Sequence, residues 1–271
     1  MGLSNLSAQK TKKKTDVEEA GLKGKVKSVK TIEYKATEKF GANTKGGVSF
    51  YEDYLYNSSG NLIAENEYNS NGSLSRKIIY KYNSKGMLLE TYSYNPDETL
   101  DTKLIYSYNS KGKKIEENCY NANGNLNSKV IYKYNSDGNM IEEQLYRSDG
   151  NLFSKSTYKY DAKGNQIRMN WYKSDDSLLG SHSYRYDPKG NQIEKKWTYS
   201  DFSFKHTYKY DDKGLMIEEN CYKFDGSLDA KYTYEYKYDS KGNWTEQIKY
   251  LKESKSVKKA ERITERTITY Y

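Results

Sequence analysis

The chain has 271 residues, with 45 Lys and Arg against 37 Asp and Glu, and 31 of its residues are tyrosine. Val, Ile, Leu and Phe together make up about 16% of it, short of the roughly 20% that supports a conventional core. No run approaches the roughly 18 apolar residues a membrane helix needs, two cysteines cannot build a disulfide framework, and two histidines leave little room for zinc or a His-based catalytic centre.

Residues 1–20 contain Lys10, Lys12, Lys13 and Lys14 and no apolar period, so a flexible basic tail is expected there. Leu6-Ser7-Ala8-Gln9 within it resembles the end of a secretory leader whose basic and apolar regions are missing, which points to export. Residues 21–53 follow as N-terminal capping strands, entered by the alternating segment from Lys25 to Ile32.

A repeat then dominates residues 54–243. Tyr-x-Tyr, followed by Asn or Asp and three residues later by Gly, begins at Tyr54, Tyr80, Tyr106, Tyr132, Tyr158, Tyr184, Tyr208 and Tyr236. The first six are 26 residues apart and the next two gaps are 24 and 28. A second turn, such as Asn121-Ala122-Asn123-Gly124 or Arg147-Ser148-Asp149-Gly150, divides each unit into two strands. Pro96 and Pro188 both follow the Asn or Asp of a turn, where a fixed φ is favourable. Period-2 geometry puts Tyr80 with Tyr82, Tyr106 with Tyr108, Tyr132 with Tyr134, Tyr158 with Tyr160 and Tyr184 with Tyr186 on one face, as a structural ladder. Strands bearing Lys alternate with strands bearing Glu, as in Ile115-Glu116-Glu117, so antiparallel neighbours can pair opposite charges. Residues 244–271 end the chain as C-terminal capping strands, the last rich in Thr and Arg.

These elements predict an all-β fold, a long antiparallel β-meander of about 18 strands built from 26-residue two-strand repeats, with no convincing helix. An open meander of that size would extend ~80 Å, and open sheets beyond about ten strands curl or split. A curled, partly single-layer sheet is therefore expected, with tyrosine rings stacked in rows and their hydroxyls in water.

The unit Tyr-x-Tyr-Asp/Asn-x-x-Gly-Asn, clearest from Tyr158 to Asn165 and from Tyr184 to Asn191, resembles the YD repeat of the Rhs and wall-associated protein families, across roughly residues 54–243. The resemblance implies antiparallel sheets that wind into shells, which in those families bind carbohydrate or encase a toxin domain. The period here is longer than the family's, and no toxin or autoproteolytic segment follows. There is a weaker resemblance to bacterial MORN-type hairpin repeats, without their Trp and His-Gly signature.

The net charge of +8 lies wholly in the ends, since residues 31–250 hold 31 basic and 31 acidic side chains. A nucleic-acid groove needs a basic stripe on the binding surface, so nucleic acid is not an expected partner. Phosphate-loop, dinucleotide, HExxH and GxSxG motifs are absent from the sequence, and neither catalysis nor a cofactor is expected. Cys119 and Cys221 sit in equivalent positions eight strands apart, ~38 Å in an open sheet, beyond the roughly 7 Å a disulfide spans, so free thiols are expected. Trp171, His182, Tyr184, Trp197 and His206 fall near the units whose spacing breaks and form the candidate ligand-binding set, alongside Phe202 and Phe204. Turn bulges alter strand parity, so the sequence leaves open whether these residues share a face. The composite expectation is a non-enzymatic surface or periplasmic binding or structural module that holds a glycan through a Tyr- and Trp-lined sheet. The alternative is an inhibitor or immunity-type protein that engages another protein through its sheet surface or edge strands.

Overall fold

The structure, a computed structural model, describes residues 14–199, 202–252 and 258–271. Eighteen strands follow one short helix, α1 (Asp16–Glu19). The first six are β1 (Val26–Lys39), β2 (Ala42–Tyr56), β3 (Leu62–Tyr68), β4 (Leu74–Tyr82), β5 (Leu88–Tyr94) and β6 (Leu100–Tyr108). Then come β7 (Lys114–Asn121), β8 (Leu126–Tyr134), β9 (Met140–Arg147), β10 (Leu152–Tyr160), β11 (Gln166–Lys173) and β12 (Leu178–Tyr186). The last six are β13 (Gln192–Tyr199), β14 (Phe202–Tyr210), β15 (Met216–Tyr222), β16 (Leu228–Tyr238), β17 (Trp244–Lys252) and β18 (Lys258–Tyr270).

Each strand pairs antiparallel with its sequence neighbours, as the repeat predicts, and β1 also pairs with β18 from Val26 opposite Tyr270 to Lys35 opposite Arg262. The sheet therefore closes into an 18-stranded β-barrel, which corrects the expected curled open sheet. The terminal strands do not cap free edges; they are the two sides of one seam, and closure removes the exposed edges a meander would otherwise carry.

The turns explain the regularity. In the turn after β4 the Asn83 amide donates to the Met87 carbonyl, and the Gly86 amide donates to the Asn83 carbonyl. The Asn83 side-chain oxygen accepts from the amides of Lys85 and Met87. Gly86 has φ of 72°, a left-handed value that costs glycine nothing. Beyond each such turn one residue is extra: Lys81 faces Glu90 and Tyr82 faces Leu88, which leaves Leu89 as a bulge. Ile115, Ile141, Ile167 and Ile217 occupy the same place, each 37–38% exposed.

The tyrosines do not work as stacked rows with wet hydroxyls. The second tyrosine of each pair donates to a backbone carbonyl at the start of the preceding strand: Tyr82 to Leu62, Tyr108 to Leu88, Tyr134 to Lys114, Tyr160 to Met140 and Tyr186 to Gln166, at 2.6–2.7 Å. In three pairs the first donates to a carboxylate one strand back, Tyr80 to Glu65, Tyr132 to Glu117 and Tyr158 to Glu143, at 2.8–3.2 Å, while the Tyr106 hydroxyl meets that of Thr91. Apart from Tyr184, whose hydroxyl meets His182 on its own strand, each of these rings ties two adjacent strands together, and a phenol is long enough to do so where Phe would offer no donor.

Closure gives the wall a concave face, where side chains converge, and a convex face, where they splay. The tyrosine-ladder face is the crowded one. Burial pushes the phenols of Tyr80 and Tyr132 well above the ordinary tyrosine value and that of Tyr158 up to about 12, with neighbouring carboxylates adding to it. On the opposite face Lys133, Lys209 and Lys237 stay 54%, 66% and 72% exposed while paired with Glu142, Glu218 and Glu246. The ladder therefore lines the lumen and the Lys–Glu pairs clothe the outer wall.

The chain is not packed as a compact globule. A compact protein of 31.6 kDa exposes about 12,000 Å² by the usual scaling, whereas this chain exposes 17396 Å². Among the described residues a buried apolar cluster lies at the seam, where Val17 and Leu22 pack on Val26, Val29 and Tyr56. Thr15 and Glu18 form a capping box that starts α1, Asp16 accepts from the Leu62 amide and the Tyr82 hydroxyl, and Lys23 exchanges hydrogen bonds with Asn243. Of the expected basic tail, residues 1–13 lie outside the described residues; residues 14–20 are instead bound to the inner wall, and α1 is a helix the sequence reading did not anticipate.

Candidate functional site

The five candidate residues all face the lumen, close to one another. Trp171 on β11 stands opposite Gly180, and His182 on β12 stands opposite Trp197 on β13. The Trp171 and His182 rings meet edge to face at 4.8 Å, and the Trp197 and His206 rings do so at 4.6 Å. His182 Nδ1 lies 3.1 Å from the Tyr184 hydroxyl. Parity, left open by the sequence, is resolved by the register: a bulged residue offsets the β11–β12, β12–β13 and β14–β15 pairings, whereas β13 and β14 pair without one, which sets Trp197 opposite both His182 and Phe204.

Gly180 makes room for this patch. A Cβ there would come within 2.6 Å of Trp171 Cζ2 and 2.7 Å of the Thr198 carbonyl oxygen. Phe204 stacks on Trp197 with centroids 5.8 Å apart, and Lys195 Nζ sits 5.6 Å from the same ring. Burial, with help from Lys195, lowers the pKa of His182, which favours the neutral imidazole. The outcome is a strip of apolar ring faces and edges broken by an imidazole, a phenol and an ammonium. Such a surface suits a ligand with flat apolar faces and a hydroxylated rim.

The strip continues into a polar cluster that the sequence reading missed. His206 on β14 is directly opposite Cys221 on β15. His206 Nδ1 lies 2.9 Å from Glu219 Oε1 and 3.8 Å from Cys221 Sγ, and one donor atom from each of the three residues falls within 4.8 Å of the others. The Tyr234 hydroxyl donates to the second oxygen of Glu219 at 2.9 Å. Burial, reinforced by Glu219, pushes the Cys221 thiol up to about 11. Among the described residues this is the one cluster of three side chains with metal-ligand chemistry. The Glu-x-Cys spacing was visible, but placing His206 across from it requires the bulge register.

Cys119 occupies the equivalent place on β7 and faces Leu104 where Cys221 faces His206. Both thiols are free. Glu116 and Glu117 point to opposite faces, as read from the sequence: Glu116 pairs with Lys129 on the outer wall, Glu117 with Lys114 in the lumen.

No protein-family model and no curated protein matches the chain. Among solved structures, the fold is similar to that of a porin-like protein from Bacteroides uniformis at 12% identity and a TM-score of 0.51, over 90% of this chain and 98% of that one. A porin-like protein from Bacteroides vulgatus aligns over 92% and 99% at 12% identity with a TM-score of 0.33. The crystal structure of TcdB2-TccC3-TEV aligns over 87% of this chain at 14% identity and a TM-score of 0.40, and the matched part is 14% of that chain. At such identities the first likeness bears on the fold alone, and it agrees with a repeat-built β-structure.

Proposed function

We propose that this protein is a non-enzymatic binding barrel of the bacterial periplasm or cell surface that takes a saccharide chain into its lumen. The observation that carries the reading is the convergence of Trp171, His182, Tyr184, Trp197 and His206 on one strip of the inner wall. Ring faces stack on the apolar faces of sugars, and the imidazole, phenol and ammonium groups suit their hydroxyls.

The wall favours a barrel standing in water over one embedded in lipid. Lys81, Lys133 and Lys209 sit on the outer face near the ends of their strands, paired with Glu90, Glu142 and Glu218, and Lys103 and Lys129 lie further along it. A lysine in a lipid-facing band costs about 2–4 kcal/mol at the midplane, and bilayer-spanning barrels carry an apolar band there instead. Closure also removes the free strand edges that capture of another protein by edge pairing would need, so the wall surface is the route left to the protein-binding alternative.

The test is glycan-array screening of the intact protein, followed by titration of tryptophan fluorescence with the best hit. Trp171→Ala and Trp197→Ala should each weaken binding at least tenfold. Trp244, which lies beneath Arg266 at the seam, supplies constant background emission. Absence of any saccharide response, with capture of one protein instead, would favour the inhibitor reading.

A further inference from the structure

We propose that His206, Glu219 and Cys221 form a binding site for a transition-metal ion of the zinc class, set into the inner wall between β14 and β15. The site shares His206 with the saccharide reading but rests on donor chemistry and register, and metal binding is read without any saccharide, so the two can fail separately.

The three residues supply nitrogen, oxygen and sulfur, the set that borderline metals such as Zn²⁺ prefer and that Mg²⁺ and Ca²⁺ do not. Tetrahedral zinc with bonds of about 2.0–2.3 Å separates its ligand atoms by about 3.3–3.6 Å. The separations here are 2.9 Å for nitrogen to oxygen and 3.8 Å for nitrogen to sulfur, with all three atoms inside 4.8 Å. These separations lie within about 0.5 Å of the coordinated values, on strands already in register.

The surroundings hold the donors in place. The Tyr234 hydroxyl fixes the second oxygen of Glu219, which leaves Oε1 for the metal. The edge-to-face contact with Trp197 restrains the His206 ring. Hydrogen bonds to carboxylate ligands and packing against imidazole ligands orient a metal's donors in this way. Binding moves the thiol proton to solvent, shifts the imidazole proton to Nε2, and replaces the His206–Glu219 hydrogen bond with two metal bonds. The remaining coordination position opens to the lumen, where water or a ligand group can occupy it.

The repeat contains its own control. On β7, Glu117 and Cys119 hold the positions of Glu219 and Cys221, and the Tyr132 hydroxyl donates to Glu117 as Tyr234 does to Glu219. Leu104 stands where His206 stands, so the sulfur and the carboxylate are present without the nitrogen. Metal binding should therefore distinguish two otherwise similar thiols.

The experiment treats the intact protein with a thiol-alkylating reagent, with and without Zn²⁺, and reads each cysteine by mass spectrometry. Zinc should slow alkylation of Cys221 at least tenfold and leave Cys119 unchanged. Co²⁺ should bind one equivalent and give a thiolate-to-cobalt absorption band, lost in Cys221→Ser and kept in Cys119→Ser. His206→Gln should weaken Zn²⁺ binding at least tenfold, with circular dichroism reporting that the barrel is intact. Equal alkylation of both thiols in the presence of zinc, or unchanged affinity in folded Cys221→Ser, overturns the proposal.

Discussion

Changing Tyr134 to Phe removes one hydroxyl and nothing else. That hydroxyl donates to the Lys114 carbonyl at 2.6 Å, between the end of β8 and the start of β7. A net hydrogen bond contributes about 0.5–1.5 kcal/mol, and the half-buried Lys114 carbonyl loses its donor, so a loss of about 1 kcal/mol, the middle of that range, is expected. Tyr108 and Tyr160 make the same bond to Leu88 and Met140, each two strands away from Tyr134. Sites so separated should add, so the triple Phe variant should lose about 2–4 kcal/mol, a large share of the 5–15 kcal/mol typical of a folded domain. Urea unfolding followed by circular dichroism measures this as a fall in midpoint at constant slope. Tyr120→Phe is the control: that hydroxyl has no hydrogen-bond partner among the described residues, and its loss should stay within about 0.5 kcal/mol. If the triple variant and the control unfold at the same midpoint, the ladder hydroxyls are merely solvated and the interlocking account is wrong.

Gly180→Ala should displace Trp171, because the new Cβ lies 2.6 Å from its ring; we expect a loss of about 1–3 kcal/mol in unfolding and weaker binding of any lumen ligand. Glu98 adopts φ of 65° at a turn position that most of the repeats fill with Gly, Asp176 being another exception; Glu98→Gly should raise the thermal midpoint slightly, as relieved strain of about 1 kcal/mol exceeds the added unfolded-state entropy. Burial raises the phenols of Tyr68, Tyr158, Tyr208 and Tyr250 to about 12. An unfolded tyrosine ionises near 10, so the stability these groups contribute is complete below pH 10 and is lost as pH rises from 10 towards 12. Ultraviolet titration should show a class of tyrosines that ionises only as circular dichroism reports unfolding; full ionisation by pH 10.5 in the folded state would contradict this.

How far the sequence exposes the structure differs from element to element. The 26-residue spacing of Tyr54, Tyr80 and Tyr106 and the Asn-x-x-Gly turns are local signals, and they yield strand number, direction and charge pairing. Closure is not local, because Val29 meets Ile268 across almost the whole chain and nothing in either segment names the other. The helix was legible in principle: Thr15-Asp16-Val17-Glu18 carries the capping-box pattern, hidden inside a lysine-rich tail. Trp171, His182, Tyr184, Trp197 and His206 could be nominated from composition and broken spacing. Their common face could not, because one bulged residue per turn, such as Ile167, reverses parity. The same bulge hid the pairing of His206 with Cys221.

The central claim is that this chain closes into a barrel around a lumen, and the seam tests it most directly. Ser28 and Thr269 face each other across β1 and β18 with their hydroxyl oxygens 2.6 Å apart. In a variant with Cys119 and Cys221 replaced by Ser, Ser28→Cys with Thr269→Cys should oxidise to an intramolecular disulfide, seen as a faster-migrating monomer in non-reducing electrophoresis. An open meander would hold these positions ~80 Å apart, and failure to form that monomeric cross-link, or formation of intermolecular species alone, would contradict closure.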